Sequence, residues 1–306
     1  MILLMNFRSL IIATILAIST AGQAQETQRV IIDADTGNEV DDLYAVVRGL
    51  IEPRWEVLAL NATQWQVSHW AVDKSMEESY RLNQVLLSYL QKADEVVSNR
   101  GAEARLFDWG NKSQPSSASN FIINQAMQQE EGKLNVIALG ALTNVASAIL
   151  DQPEITDKIR LYWLGSSYNF TTGVMTNIDF NSVMDIQAVD VILNSEVELH
   201  VIPNNVASAM TFNWQETEAK LKGKHDLLDF ILQRWYNHLD GGRRERTIWD
   251  LALIQAVIYP DWAEEVKVKT NKTKDDRLIW MYKNIDADKM REEFFAKVLD
   301  YVENLK

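Results

Sequence analysis

Cysteine is absent from this 306-residue chain, and positive charge is scarce relative to negative charge. Without cysteine, the chain can have no disulfide bond, no thiolate zinc site, no cysteine nucleophile and no lipid-modified cysteine. The 30 Lys and Arg residues are outnumbered by 43 Asp and Glu residues, which gives a formal net charge of −13. A field of that sign repels nucleic acid polymers and anionic membrane surfaces. The expected partner is therefore a small neutral or cationic molecule, and divalent cations such as Ca²⁺ or Mg²⁺ are favoured.

Long hydrophobic runs are also absent after the first residues. Residues 1–24 contain one early charge (Arg8), an apolar run over Leu10–Ile18, and small residues at Gly22 and Ala24. This order is typical of a secretory signal cleaved after Ala24, and the run is too short to anchor the chain in a bilayer. The sequence thus predicts an exported protein with no membrane partner after signal removal. The lack of disulfides fits a bacterial periplasm or the extracellular space.

Apolar strand-like runs alternate with helical patterns along the remaining chain. The predicted strands are Arg29–Ala34, Trp55–Asn61, Leu134–Leu139, Ile159–Leu164 and Val197–Ile202; the predicted helices are Asp42–Ile51, Lys74–Lys92, Leu142–Leu150 and Met184–Asn194, with a helical stretch over 227–259 broken at Asp240–Gly242 and a peripheral hairpin over Lys267–Asn284. This alternation predicts an α/β fold with a mostly parallel central sheet and helices on both faces. Since no repeat, low-complexity stretch or linker interrupts residues 25–306, we expect a single domain there.

Polar segments follow several of these strands. In an open parallel sheet, ligands bind beyond the carboxyl ends of the strands. We therefore expect the functional residues along one rim, formed by Asp33–Asp42, Asn61–Trp65, Gly140–Asn144 and Gly165–Asn181.

The segment Asp33–Asp42 carries the strongest chemical signal. It holds four aspartates and one glutamate, directly after an apolar strand and before a helix. Packed carboxylates raise one another's pKa unless a cation lies among them, and Ca²⁺ accepts many oxygen ligands in irregular geometry. The alternative is a solvated acidic turn, with Asp42 serving only as a negative charge at the start of the helix. The position behind a buried strand favours the metal site.

Four segments together resemble the inosine-uridine preferring nucleoside hydrolases. Asp33–Asp42 is similar to the D-x-D-x-G-x-D-D signature of that family, with two extra residues between Gly37 and Asp41. The other similarities are of Val136–Ala146 to a strand followed by G-P-L-T-N, of Asp179–Asn181 to E-F-N, and of Ile248–Ala252 to H-D-P-L-A, with Trp249 in the place of the histidine. The resemblance spans Arg29 to Pro260. It implies a Rossmann-like nucleoside hydrolase fold and hydrolysis of the N-glycosidic bond of nucleosides or related N-ribosyl compounds, releasing base and ribose.

The resemblance also implies a calcium centre. Ca²⁺ would be held by the side chains of Asp35, Asp42 and Asp250 and by the backbone carbonyl of Thr143. Asp35 would in addition deprotonate the calcium-bound water that attacks the sugar. Asp33 would support these ligands from behind. A lone buried acid such as Asp250 in an apolar helix would be costly without a partner, which favours a ligand role.

A sugar site is implied beside the metal. Asp41 and Asn181 would bind the ribose hydroxyls, with Asp179 next to them, although Asp179 and Asn181 could also be ordinary loop residues. A negative pocket stabilises the oxocarbenium-like transition state of glycosyl transfer. The resemblance further implies a homo-oligomer.

The leaving group is less well specified by the sequence. Trp249 replaces the histidine found in many relatives, so acid catalysis from that position is lost. Trp249 and Trp65 would stack on a purine, or else both pack in the core. Gln64 would contact the sugar. An acid could come from His69 or His238, unless these are ordinary surface residues.

Three questions stay open at this point. The segment Asp240–Arg246 is either a lid over the ligand or a solvated turn. An exported nucleoside- or sugar-binding protein that kept the metal and lost turnover is one alternative function. A phosphatase of the haloacid-dehalogenase type, which also begins with D-x-D after a strand, is another, but it would leave Asp41 and Asp42 without a role.

Overall fold

A computed structural model describes residues 27–274 and 277–305. The predicted signal at residues 1–24 lies outside the described residues and stays a prediction. The strands are β1 (Gln28–Ala34), β2 (Trp55–Ala62), β3 (Val97–Asn99), β4 (Leu134–Ala138), β5 (Ile159–Leu164), β6 (Ser167–Asn169), β7 (Val174–Thr176), β8 (Glu198–Ile202), β9 (Thr211–Asn213), β10 (Glu245–Thr247), β11 (Ala263–Lys269) and β12 (Leu278–Ile285). The helices are α1 (Asp41–Leu50), α2 (Ser75–Tyr89), α3 (Ser117–Met127), α4 (Thr143–Asp151), α5 (Phe180–Met184), α6 (Ile186–Leu193), α7 (Asn204–Ala207), α8 (Trp214–Leu221), α9 (Asp226–Tyr236), α10 (Trp249–Ile258) and α11 (Ala287–Asn304).

Eight strands form the central sheet in the order β3-β2-β1-β4-β5-β8-β12-β11. Neighbouring strands run parallel except β11 and β12, which pair in antiparallel fashion. The predicted mostly parallel α/β sheet is therefore confirmed. The predicted hairpin is the β11–β12 pair, and because β12 also pairs with β8, the hairpin forms one edge of this sheet.

Helices cover both faces of the sheet. Val30 and Ile32 of β1 pack in a core with α1, α10 and α11, whereas Ile31 between them packs in a second core with α3, α4 and α6. Side chains of a strand alternate between faces, so burial on both faces requires an uninterrupted apolar run. This explains why the strands at the centre of the sheet could be predicted from the sequence.

The sheet has a switch point between β1 and β4. The chain passes from β1 to β2 on one side, while β4 pairs with β1 on the other side. The connections therefore diverge, and a crevice opens at the carboxyl ends of β1 and β4, where ligands bind in folds of this type. The segment Asp33–Asp42 and the turn at Gly140 both lie there.

Other parts of the chain differ in detail from the prediction. The helical stretch over 227–259 is two helices, α9 and α10, separated by strand β10, which pairs with β9. Asp185 interrupts the predicted helix over Met184–Asn194 and caps α6 by accepting a hydrogen bond from Ala188 N. Within the described part of the chain, every helix is too short or too polar to span a bilayer.

Candidate active site

Two helix N-termini meet at the end of β1. Asp41 and Asp42 are the first residues of α1, and Asp250 is the second residue of α10, which packs against α1. One carboxylate oxygen from each of the three lies within 4.8 Å of the others. Neither helix start has a side-chain cap, so the first backbone N–H groups are free to favour negative charge in these turns.

Three buried oxygens of the predicted calcium-binding carboxylates have no hydrogen-bond partner among the described residues. They are Asp35 Oδ2, Asp42 Oδ1 and Asp250 Oδ1. Burial raises the pKa of all three groups well above the ordinary range, and the charges of the neighbouring aspartates raise it further. Unpaired buried oxygens are costly, and a hard divalent cation prefers oxygen ligands of this kind. Asp41, Asp42 and Asp250 lie close enough to one another to share one ion. The residues therefore fit a calcium ion.

The turn after β4 fixes the position of Asp35. A Cβ atom at Gly140 would lie 2.5 Å from Asp35 Oδ1 and 2.6 Å from Thr63 Oγ1. No real side chain tolerates such distances, so only glycine allows the carboxylate of Asp35 to approach the end of β4. The backbone of Asp35 is held by its carbonyl, which accepts a hydrogen bond of 2.7 Å from Asn38 N.

Asp33 is fully buried as well, and its Oδ2 also has no hydrogen-bond partner among the described residues. Its Oδ1 accepts a hydrogen bond of 3.0 Å from Asn144 Nδ2, which also donates to the carbonyl of Ala62 at the end of β2. Burial raises the pKa of Asp33 to about 7, against the hydrogen bond from Asn144. The supporting role of Asp33 stays a prediction.

A cavity of about 90 Å³, here called the inner cavity, lies over the carboxylates. Seven of the predicted site residues line it: Asp35, Asp41, Asp42, Asp179, Asn181, Trp249 and Asp250. Asn181 Nδ2 donates to the carbonyls of Leu139 and Leu164, at 2.6 and 3.0 Å, and so joins the ends of β4 and β5. Asp179 caps α5 through Ser182, and burial raises its pKa.

Thr143 and Gln64 lie away from the inner cavity. The hydroxyl of Thr143 donates to Asp185 Oδ2 at 2.7 Å, and Gln64 Nε2 is 3.3 Å from Thr143 Oγ1. Thr143 begins helix α4 and does not line the cavity, whereas Leu139 lines it and its main-chain carbonyl accepts a hydrogen bond from Asn181. The structure does not bring Thr143 or Gln64 to the inner cavity. The calcium contact of Thr143 and the sugar contact of Gln64 thus remain predictions.

Asp185 was not singled out from the sequence. It is fully buried, and besides Thr143 it accepts hydrogen bonds from the backbone N–H groups of Leu106 and Phe107. Its only sequence signal is an aspartate in a mostly apolar helical pattern that also contains Asp190, and its contacts fix loops behind the site.

A second cavity of about 560 Å³, the outer cavity, adjoins the first. Glu39 and Trp249 line both cavities. The other lining residues are His69, Trp70, Thr211, His238, Leu239, Asp240, Arg243, Glu245, Arg246 and Thr247. The Asp240–Arg246 segment, left open from the sequence as a lid or a turn, therefore forms one wall of a cavity.

The aromatic residues divide between cavity and core. Trp65 is 3 % exposed and its Nε1 donates to Ser79 Oγ at 3.2 Å, so it packs in the core. Trp70, which no sequence motif marks, lines the outer cavity and donates from Nε1 to Asn38 Oδ1 at 2.9 Å. His69 and His238 both line the outer cavity, and burial together with the charge of Arg246 lowers the pKa of His238.

The chain has extensive similarity to known proteins. A family profile described as "Inosine-uridine preferring nucleoside hydrolase" matches residues 30–292. The chain is 24 % identical over 237 residues to "Probable uridine nucleosidase 1" of Oryza sativa subsp. japonica, covering 70 % of this chain and 71 % of that protein. The structure of a "Purine-Preferring Ribonucleoside Hydrolase from Gardnerella vaginalis" superposes with a TM-score of 0.67 and 19 % identity, over 90 % of this chain and 99 % of that one. An "Inosine-Guanosine Nucleoside Hydrolase" superposes with the same TM-score, identity and coverage. These solved structures share the fold described above.

Proposed function

Because the chain belongs to the inosine-uridine preferring nucleoside hydrolase family, and so to the N-glycosyl hydrolases, we propose that it hydrolyses the N-glycosidic bond of nucleosides with Ca²⁺ as its cofactor. The observation that carries the proposal is the set of three unpaired buried carboxylate oxygens in the inner cavity. Family membership also confirms the resemblance read from the sequence, and it leaves no place for the phosphatase alternative.

Asp35, Asp42 and Asp250 would hold the cation. A main-chain ligand from the β4–α4 segment would come from Leu139, which lines the inner cavity, more readily than from Thr143, which does not. When bound, the ion would lower the pKa of a water molecule and help to orient it. Asp41 lies within 4.8 Å of Asp42 and Asp250 and adds negative charge next to them.

Asp35 is the group best placed to accept the proton of the attacking water. Its Oδ1 packs against Gly140, while its Oδ2 has no hydrogen-bond partner among the described residues. A base must lie within hydrogen-bond reach of the proton that it removes, and a carboxylate free on one oxygen satisfies this condition. The water would then attack the anomeric carbon of a sugar seated in the inner cavity.

The sugar would be held by Asp41, Asp179 and Asn181. All three line the inner cavity, and the amide of Asn181 is fixed by two main-chain carbonyls. Fixed polar groups orient the ribose toward the water, and carboxylates stabilise the positive charge that develops on the sugar ring. The base would extend into the outer cavity past Trp249, toward Trp70.

The test is base release from a nucleoside panel by the purified mature protein, with Ca²⁺ or with EDTA. We expect calcium-dependent release, and a loss of roughly 100- to 10,000-fold in Asp35→Asn, because general-base catalysis contributes about that much. Asp73→Asn, which removes an exposed carboxylate, serves as the matched control and should keep full activity. Release that persists in EDTA, or in Asp35→Asn, would contradict the proposal.

A further inference from the structure

Arg246 lies in the wall of the outer cavity, on strand β10 just before α10. Its side chain is only 4 % exposed, so the guanidinium is held inside the protein next to the space that the base would occupy. Trp249 also lines this cavity, and it occupies the position where the resemblance places a histidine. The chain thus has no acid at position 249 to protonate the leaving base, but it has a buried arginine three residues earlier.

Most hydrogen-bond donors of Arg246 are unused. Nη2 donates to Asp240 Oδ2, but Nη1 is 3.7 Å from Glu39 Oε2, which is too long for a hydrogen bond. Nε is buried and has no hydrogen-bond partner among the described residues. A guanidinium carries five N–H donors, and donors without an acceptor are destabilising when water is excluded. An acceptor in the outer cavity would satisfy the donors of Nη1 and the second donor of Nη2.

The surroundings of Arg246 fix its orientation and offset its charge. Asp240 and Glu39 lie on two sides of the guanidinium, and the ring of Trp235 is 5.9 Å away. Glu39 belongs to the segment that is two residues longer than the family signature. With two carboxylates so close, the guanidinium offers directed donors rather than net positive charge, which favours a neutral ligand with acceptor atoms over an anion.

Glu39 and Trp249 line both cavities, so the bond between sugar and base would lie where the inner cavity meets the outer cavity. A 6-oxopurine then presents O6 and N7, two acceptors on one edge, which is the pattern that arginine recognises in guanine. Adenine has an amino donor in place of O6, and uracil lacks two adjacent acceptors. We propose that Arg246 donates hydrogen bonds to O6 and N7 of the leaving base and thereby selects 6-oxopurine nucleosides; this rests on the function proposed above.

The same contact would assist bond cleavage. As the C1′–N9 bond breaks, its electron pair passes to the base, and the water oxygen forms the new bond to C1′ while its proton passes to Asp35. The negative charge on the base spreads to N7 and O6, where hydrogen bonds from Arg246 stabilise it until solvent supplies a proton. No proton is required from the position of Trp249.

The experiment compares Arg246→Met with Arg81→Met on inosine, adenosine and 4-nitrophenyl riboside, in the presence of Ca²⁺. Arg81 also pairs with a carboxylate, that of Glu78, but its side chain is 74 % exposed and lines neither cavity, which makes it a matched control. In the wild type we expect kcat/KM for inosine to exceed that for adenosine by roughly 5- to 150-fold, the usual discrimination of an arginine–base pair. Arg246→Met should lose this preference. The nitrophenyl riboside has a leaving group that needs no assistance, so its hydrolysis should be unchanged in Arg246→Met, and Arg81→Met should behave as the wild type on all three substrates.

Three outcomes would overturn the inference. One is that Arg246→Met keeps the wild-type preference for inosine. Another is that the nitrophenyl riboside and inosine lose activity in parallel, since Arg246 would then only hold its loop. If Arg246→Met does not fold, Arg246→Lys, which keeps the charge but loses the planar donor set, should lower the preference, and an unchanged preference would count against the contact.

Failure of the proposed function would be recognised separately. If the wild type hydrolyses none of these ribosides, calorimetric binding of hypoxanthine and adenine tests Arg246 without turnover. Preference for hypoxanthine that is lost in Arg246→Met would support the contact in a binding protein. Equal or absent binding of the two bases would overturn it.

Discussion

Asp35 owes its place in the inner cavity to the missing side chain at Gly140. A methyl group there would lie 2.5 Å from Asp35 Oδ1, so Gly140→Ala must displace the carboxylate. We expect the variant to fold, to bind Ca²⁺ more weakly and to lose roughly 100-fold in kcat, the usual cost of a misplacement of about 1 Å in an active site. Calcium titration and base release would measure both effects.

The matched control for Gly140→Ala is Gly49→Ala. A Cβ at Gly49 would lie 2.9 Å from Ile32 Cδ1, the far end of a flexible side chain in the core. That variant should change stability and leave calcium affinity as it is. Unchanged calcium affinity in Gly140→Ala itself would show that Asp35 does not contact the ion.

At the scale of residues, the sequence was informative about carboxylates and less so about their neighbours. Asp35, Asp42 and Asp250 could be chosen because clustered or buried charge has few explanations other than a ligand. Trp65 and Trp70 could not be distinguished, since their directions depend on partners far along the chain, Ser79 for one and Asn38 for the other. Arg246 carried no motif, and only the folded cavity gives it a role.

Helix α1 is joined to α11 by a buried ion network. Arg48 is fully buried; its Nη2 donates to Glu52 at 2.9 Å and to Glu293 at 2.6 Å. Arg48→Met would leave Glu293 without its cation and Glu52 with only the more exposed Arg54, and we expect it to lower the free energy of unfolding by about 3–5 kcal/mol. Urea denaturation would measure the loss.

An exposed pair provides the comparison for Arg48→Met. Arg81 is 74 % exposed and pairs with Glu78 at 3.1 Å on α2, so Arg81→Met should change the free energy of unfolding by about 0–1 kcal/mol. Equal effects of the two substitutions would mean that the buried network stabilises the fold no more than a surface ion pair does.

At the scale of elements, the longer strands could be predicted from the sequence and the short ones could not. The strands of the sheet centre were recognised because burial on both faces demands a run of apolar residues. Strands β3, β6, β7, β9 and β10 have three residues each, too few for any period to show. The order of the strands in the sheet could not be predicted either. The pairing of β12 with β8, for example, joins segments far apart in the chain, and it depends on packing across the whole fold.

For the whole molecule, the buried acids link stability to pH. Burial raises the pKa of Asp33 to about 7, and burial with the charge of Asp41 raises that of Glu39 to about 7. The pKa values of these groups in the unfolded chain are about 4. The contribution of each group to the stability of the fold is therefore fully present below about pH 4 and is lost as pH rises through 7. The melting temperature of the calcium-free protein should therefore fall between pH 5 and pH 8.

Calcium should reverse this trend. A cation bound to the ionised carboxylates stabilises only the folded state, so the rise in melting temperature on adding Ca²⁺ should be larger at pH 8 than at pH 5. Asp33→Asn, which cannot ionise, should reduce the slope in EDTA. A melting temperature in EDTA that is constant or increases from pH 5 to pH 8 would contradict the assigned pKa shifts.

The carboxylates that meet at the metal site come from distant parts of the chain. Asp42 is the second residue of α1, whereas Asp250 lies on α10, which follows nine helices and most of the strands of the described residues. The site therefore cannot exist until α10 has docked on α1, and we expect this docking to follow the transition state of folding. Contacts absent from the transition state change the unfolding rate and leave the folding rate nearly unaltered. The benefit of the ion would thus be a longer lifetime of the finished molecule, not faster folding.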